Sequence, residues 1–415
     1  MKRRDFITLT TTTSVLAGRS ACHSKEEKAS TLQSMANDVV PISKEERESR
    51  VRKAQGLLKE NNMQALVLDC GTSLTYFTGI EWWPSERTMV AIIPANTDVY
   101  YICPAFEEDR LREKITIGKN VYTWQEDESP FALIVKSLNE SGNVNTIAFE
   151  ERVRFFIADG IRKEAPHLNY VSGDPVTIGC RAIKSAAEIK LMQKANDITL
   201  AAIQYGVSQL KEGMKQNELS SIIMKAQNEL GGIADFALCL FGTSSAFPHG
   251  SKQPQTLKKG DIVLMDCGCL VEGYNSDITR TIVFDATPTK RQQEIWNLEK
   301  KAQEAGFAAA KIGATGEDVD AAARKVITDA GFGPGYQLPG LPHRTGHGIG
   351  LDGHEWYNMV KGNKTKLEAG MCFSIEPTIA IPGEFGIRLE DCVYMTEQGP
   401  QWFSKTSRSL LEPFG

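Results

Sequence analysis

Apolar and polar positions alternate along most of the chain with two distinct periods. Ser43, with Glu46 three residues on, is a capping-box signature, and the pattern predicts a helix from there to about residue 61. Residues 65–69, 88–94 and 98–103 are apolar runs of strand length. Helical spacing returns at 106–115 and 130–141, then a strand at 146–150 and a helix near 155–165. Strands interleaved with helices predict an α/β domain ending near Val171. Ser172-Gly173-Asp174-Pro175 reads as a turn or linker.

Ser185 with Glu188 then starts a long helix, with Ile189, Met192, Ile198, Ala202 and Tyr205 along one stripe. A second helix over 217–230 stops at Gly231-Gly232. Strands, helices at 290–310 and 317–330, a loop rich in Gly, Pro and His, and a final pair of strands complete the chain. The expected class is α/β (α+β), with one domain over 43–172 and a second over 173–415.

The first 42 residues follow neither period. Arg3-Arg4 precedes a mildly apolar stretch, Phe6 to Gly18, diluted by threonine. That arrangement resembles a twin-arginine export signal over 1–22, a receptor-read address rather than an anchor. Cys22 follows small residues and leads into a polar tether over 23–42, as at a bacterial lipoprotein cleavage site, although Arg19 stands where an apolar residue is usual. The expected location is the periplasm or cell envelope, with a lipid anchor at Cys22 as one form of attachment.

Charge narrows the partners. The 415 residues hold 47 Lys and Arg against 52 Asp and Glu, a net charge of -5, so no basic excess exists to follow a phosphate backbone. No apolar run reaches the roughly 18–20 residues needed to span a bilayer. Cys70, Cys103, Cys180, Cys239, Cys372 and Cys392 are scattered through apolar stretches and read as small buried hydrophobes. The Trp82-Trp83-Pro84 segment reads as packing, or as the rim of an interface or pocket.

Acids carry the first chemical signal. Asp266 sits in an apolar strand over 261–270 and Asp277 in the return strand over 275–284; their midpoint, 271.5, falls in the turn between. Glu376 and Glu390 repeat the pattern about Gly383. Each pair is expected on one face, where directly opposed Cβ atoms lie about 4.5–5.5 Å apart and like charges destabilise a sheet. Either each pair shares a proton or cations sit between the acids. Two divalent ions would offset the −4 of four carboxylates. Strand alternation turns Cys267 and Cys269 to the back face, brings Arg388 onto the face of Glu390, and sends Asp391 outward to a structural role.

Histidine carries the second. The chain has six His, and His343, His347 and His354 fall within twelve residues of a Gly-rich loop. Gly346 and Gly348 flank His347 and permit close approach, so His347 is the expected metal ligand. The helical His-Glu-x-x-His zinc motif and the Gly-x-Ser-x-Gly nucleophile elbow are absent, and Gly331-Phe-Gly-Pro-Gly335 lacks dinucleotide spacing.

In this order Met265-Asp266-Cys-Gly, Ser276-Asp277-Ile-Thr-Arg280, His343-Arg-Thr-Gly-His347-Gly-Ile-Gly, Ile375-Glu376-Pro377 and Arg388-Leu-Glu390-Asp resemble the motifs of the pita-bread metallopeptidases of family M24. Over about residues 43–412 the chain is similar to their Xaa-Pro aminopeptidase and Xaa-Pro dipeptidase branch, with a creatinase-like N-terminal domain. The resemblance implies a dinuclear site held by Asp266, Asp277, His347, Glu376 and Glu390. It implies catalytic roles for His249, His354 and Glu376, and substrate contacts from His343 and Arg388. The oxygen-rich ligand set favours two Mn²⁺, with Co²⁺ or Zn²⁺ as alternatives. The implied substrates are peptides with proline second, and the implied assembly is a homodimer or larger homo-oligomer.

The Trp82-Trp83-Pro84 loop resembles that of aminopeptidase-like members, so the expected activity is an Xaa-Pro aminopeptidase, with a prolidase as the alternative. A metal-free creatinase-like hydrolase or a non-catalytic binding protein would be expected to have lost ligands that are all present here.

Overall fold

A computed structural model describes residues 32–415. The twin-arginine motif at Arg3-Arg4 and the lipidation motif at Cys22 lie outside the described residues. Ser43 accepts a hydrogen bond from Glu46 N and opens α1 (Lys44–Glu60). β1 (Ala65–Asp69), α2 (Thr72–Thr78), β2 (Val90–Pro94), β3 (Tyr100–Pro104), α3 (Glu108–Arg112), β4 (Asn120–Trp124), α4 (Pro130–Glu140), β5 (Thr146–Phe149), α5 (Phe155–Glu164), β6 (Asn169–Ser172) and α6 (Asp174–Arg181) follow.

The six strands form one mixed sheet in the order β4-β3-β2-β1-β5-β6. The strand period of two sorts its cores. Leu66, Leu68, Ala91 and Ile93 pack with Ala54 and Leu58 of α1 and Phe77 of α2, whereas Val67, Ile92 and Ile102 pack with Ile134 of α4 and Ile157 of α5. The segment at 172–175, expected as a linker, instead leads into α6. Helix α6 lies beyond residue 172, yet its Val176 and Cys180 belong to the first of these cores.

The second domain contains two similar halves. α7 (Ala186–Ser208), opened by a reciprocal Ser185–Glu188 capping box, and α8 (Gln216–Glu229) precede β7 (Ile233–Phe241), β8 (Ile262–Val271), β9 (Tyr274–Asn275) and β10 (Ile278–Val283). α9 (Lys290–Ala309) and α10 (Gly316–Asp329) precede β11 (Gly346–Gly348), β12 (Glu355–Met359), β13 (Cys372–Ile375), β14 (Thr378–Ile381), β15 (Phe385–Arg388), β16 (Asp391–Thr396) and β17 (Gly399–Trp402). The sheets run β10-β8-β7, with β9 on β8, and β12-β11-β13-β16-β17, with β14-β15 as a separate pair.

Both halves repeat one joint. Gly213 N donates to Leu257 O and Leu257 N to Met214 O, each at 2.9 Å; Gly313 N donates to Leu367 O at 2.9 Å and Leu367 N to Ala314 O at 2.7 Å. Asp266 follows Leu257 by nine residues, and Glu376 follows Leu367 by nine. The two acid hairpins are thus equivalent features of the two halves. They meet where Thr279 and Glu390 exchange backbone hydrogen bonds of 3.2 and 3.3 Å.

Candidate active site

The second hairpin has the expected register: Ile375 pairs with Asp391 and Thr378 with Arg388, which sets Glu376 opposite Glu390 about Gly383. The first differs. Asp266 pairs with Thr279, and the same register puts Asp277 across from Gly268. The cause is a two-residue turn with positive φ at Glu272 and Gly273 (50° and 81°), which centres the hairpin one residue later than the acids' midpoint. Partners therefore shift by two, a full strand period, so Asp277 keeps the face of Asp266 as a diagonal neighbour. Asp277, Glu376 and Glu390 each sit between two strands rather than within one.

His347 lies in β11, which threads between β12 and β13. A Cβ on Gly346 would overlap Ser374 O, and one on Gly348 would overlap Trp356 O, so only glycine lets the three strands approach this closely. His347 Nδ1 lies 3.0 Å from Gly348 O, an acceptor, so Nδ1 carries the proton and Nε2 offers its lone pair. Nε2 is 3.2 Å from Glu376 Oε1 and 3.5 Å from Asp277 Oδ2.

Ligating atoms of Asp266, Asp277 and Glu390 lie within 4.8 Å of one another; so do those of His347, Glu376 and Glu390, and those of Asp277, His347 and His354. Hydrogen bonds hold several of these acids. Arg388 Nη2 donates to Asp266 Oδ2 (2.5 Å), Thr279 Oγ1 to Glu390 Oε2 (2.7 Å), and Ser374 Oγ to Glu376 Oε1 (3.2 Å). Among the described residues, Asp266 Oδ1 and Glu390 Oε1 are buried with no hydrogen-bond partner. An unsatisfied buried acceptor costs about 1–3 kcal/mol, and more when charged. Burial pushes Asp277 and Glu390 well above the usual carboxylate range, and the neighbouring acids push them further. Orphaned oxygens among mutually repelling carboxylates are what a cation site requires, so these residues fit a divalent metal.

The other expected residues surround this cluster. His249 is exposed in the Pro248-His249-Gly250 turn, and Arg388 Nη1 donates to Pro248 O (3.1 Å). Arg388, expected beside the substrate, thus points into the site but already holds Asp266, Thr279 and the His249 turn. His343 Nδ1 contacts Arg344 O (2.7 Å) and Nε2 contacts Thr378 Oγ1 (3.1 Å), so both nitrogens have protein partners. Burial holds His343 below its ordinary value, Glu376 opposing and Arg388 reinforcing. His354 is exposed overall, its ring centroid 4.0 Å from that of His347; partial burial of the ring, with His347 and Arg344 beside it, lowers it to about 4. For Glu376 burial acts upward, but His347, His343 and Arg388 outweigh it and the carboxyl is lowered.

Cys267 and Cys269 are buried, as the strand alternation implied. Asp391 faces away, accepting from Arg280 Nη2 (2.7 Å) and Gln303 Nε2 (3.0 Å). Sequence reasoning missed the Asp320–Arg324 pair of α10. Arg324 Nη2 donates to His343 O (2.8 Å), and Asp320 Oδ1 accepts from Thr345 Oγ1 (2.8 Å), which clamps the histidine loop. Its only signal was an i,i+4 acid–base pair on a helix.

Residues 190–397 match the model of metallopeptidase family M24, and residues 50–183 match the creatinase/prolidase N-terminal domain. A peptidase of Schizosaccharomyces pombe is 35% identical over 404 residues, covering 91% of this chain and 86% of that protein. The chain belongs to metallopeptidase family M24. An Xaa-Pro dipeptidase of Lactobacillus delbrueckii subsp. lactis is 32% identical to this M24 chain, covering 86% of it and 97% of the relative. Among solved structures, a dipeptidase from Mycobacterium ulcerans superposes with a TM-score of 0.81 at 29% identity, covering 89% of this chain and 98% of that one. A prolidase from Thermococcus sibiricus gives 0.79 at 29% identity, with 87% and 98% covered. The expected architecture, a creatinase-like domain followed by a pita-bread catalytic domain, is the observed one.

Proposed function

We propose that this M24 enzyme is an Xaa-Pro dipeptidase that works with two divalent metal ions. The observation that carries the reading is the convergence of Asp266, Asp277, His347, Glu376 and Glu390 around orphaned carboxylate oxygens, in a chain whose relatives include an Xaa-Pro dipeptidase and a prolidase. The sequence tilted toward an aminopeptidase through Trp82-Trp83-Pro84. Trp82 is accounted for by packing: it lies against the first core with Arg110 Cζ 4.5 Å from its ring centroid. Arg344 favours the dipeptidase. It is half-buried beside the site, and its guanidinium has no hydrogen bond or ion pair among the described residues. A free dipeptide presents a carboxylate one residue beyond the scissile bond, and an unpaired Arg suits it.

We assign Asp266, Asp277 and Glu390 to one ion, and His347, Glu376 and Glu390 to the other. Four carboxylates and one imidazole favour Mn²⁺ over Co²⁺ or Zn²⁺. When bound, the ions supply Lewis acidity and make a water acidic near neutral pH. Glu376, steadied by Ser374, takes the proton of the attacking water and returns it to the departing proline nitrogen. His354 and His249 donate N–H to the oxygen on which charge develops. His343 shapes the substrate side, and Arg388 keeps Asp266 and the His249 turn in register. Proline offers no N–H and a fixed φ, so a pocket can select it by shape.

The test compares hydrolysis of Xaa-Pro, Xaa-Pro-Zaa and Xaa-Ala by the Mn²⁺-loaded enzyme. Preference for the Xaa-Pro dipeptide is expected. Faster release from Xaa-Pro-Zaa would make it an aminopeptidase, and equal cleavage of Xaa-Ala would remove proline selectivity.

A further inference from the structure

His354 is exposed and has no side-chain hydrogen bond among the described residues; apart from its ring contact with His347, its position depends on the backbone that carries it. Its neighbours in sequence are tied down strongly, and the groups that tie them come from the N-terminal domain and the hinge after it. Glu355 Oε1 accepts from Arg181 Nη2 (2.6 Å) and from Leu351 N (3.0 Å) and Asp352 N (3.1 Å); Oε2 accepts from Lys184 Nζ (2.7 Å). Asp352 accepts from Arg181 Nη2 (2.7 Å), Thr72 Oγ1 (2.7 Å) and Arg152 Nη1 (2.8 Å). Trp356 Nε1 donates to Glu151 Oε2 (3.1 Å). The side chains of Arg181, Lys184 and Glu355 are each 1% exposed.

We infer that Arg181 and Lys184 are positioning residues that hold His354 for catalysis, so the N-terminal domain contributes to the reaction without touching substrate. The inference rests on the catalytic role proposed for His354. Burying three charges carries a large desolvation cost, which their close pairing with each other and with Asp352 offsets. A cluster built only to join two domains would have no need to fold one carboxylate back onto the N–H groups of the turn that carries the histidine. Glu355 does both, so the ion cluster and the turn's shape are one unit. A shift of about 1 Å in a group aimed at developing charge can lower the rate by about 10²-fold.

The experiment is a double-mutant cycle on the full-length, metal-loaded enzyme. Lys184→Gln and Thr72→Val are each made alone and with His354→Ala, and kcat, KM and metal content for the Xaa-Pro dipeptide are measured. Each single variant is expected to lower kcat about tenfold or more with metal content and KM nearly unchanged. In the His354→Ala background neither should lower it further. Equal losses in both backgrounds, or losses that track metal content, would overturn the inference. Wild-type kcat in His354→Ala alone would instead overturn the role of His354. Should Lys184→Gln fail to fold, Arg152→Ala reads the same coupling through the half-exposed arm of Asp352.

Discussion

His347 and His354 touch, yet their surroundings give them different work. The Nδ1 proton of His347 is committed to Gly348 O, which leaves Nε2 facing Glu376 and Asp277. His354 stands exposed beside it and is held neutral near pH 7. His347→Ala is therefore expected to lower metal occupancy. His354→Ala should retain the metal and lose about 10²–10³-fold in kcat, as when an oxyanion donor is removed. Elemental analysis beside steady-state kinetics checks the split, and identical behaviour of the two variants would refute it. Arg344→Met should raise KM for Xaa-Pro by about 10–100-fold, the worth of one charged hydrogen bond, and leave longer peptides nearly unaffected. Equal effects on both would remove Arg344 as the carboxylate partner. The four acids were legible because a charged residue inside an apolar run demands a reason, and the histidines because three of them cluster in one Gly-rich loop. Thr279, Ser374 and Arg324 were not, since they are ordinary residue types whose meaning comes only from partners about 20 to 110 residues away or from one hydrogen bond inside the site.

Among the elements, the hairpins show what spacing can establish and what turn chemistry adds. About Gly383 the acids' midpoint and the turn coincide, so the register follows from arithmetic. About Glu272-Gly273 they do not, and the pairing slips by two residues; because the strand period is two, the facing of Asp277 survives an error in its partner. The loop from β11 to β12 had no legible scaffold, because Glu355 and Asp352 find their cations in the N-terminal domain and in the hinge after it, far away in sequence. For Glu355, burial acts against ionisation, but Lys184 and Arg181 outweigh it and lower the carboxyl to about 2 from an ordinary 4.5. With a depressed folded-state value, its contribution to stability is complete above about pH 4.5 and is lost as pH falls toward about 2. Glu355→Gln should therefore lower stability at neutral pH and flatten acid unfolding across that window, as followed by circular dichroism. An unchanged acid profile would show that the ion cluster stabilises nothing.

At the scale of the whole molecule, two equivalent hairpins from two equivalent halves each deliver two acids to one centre, and the histidine loop closes it. That equivalence escaped the pattern of apolar positions because the halves share joints and spacings more than sequence. The α6 helix was missed for a related reason: Gly173 and Pro175 look like a turn, but Pro is well suited to the first turn of a helix. Export by Arg3 and Arg4, with a lipid on Cys22, remains our proposal for where the enzyme works. Replacing both Arg with Lys should strand a precursor in the cytoplasm; if Cys22 carries a lipid, the mature form should partition into a detergent phase and Cys22→Ser should release it to the aqueous phase; export that survives the Arg replacements would exclude the twin-arginine route. The most direct test of the central claim is the divalent metal content of the purified enzyme and of its Asp277→Ala and Glu390→Ala variants. Two ions per chain are predicted for the parent, at least one fewer for Asp277→Ala, and weakened binding of both for Glu390→Ala; a metal content that is the same in all three would contradict it.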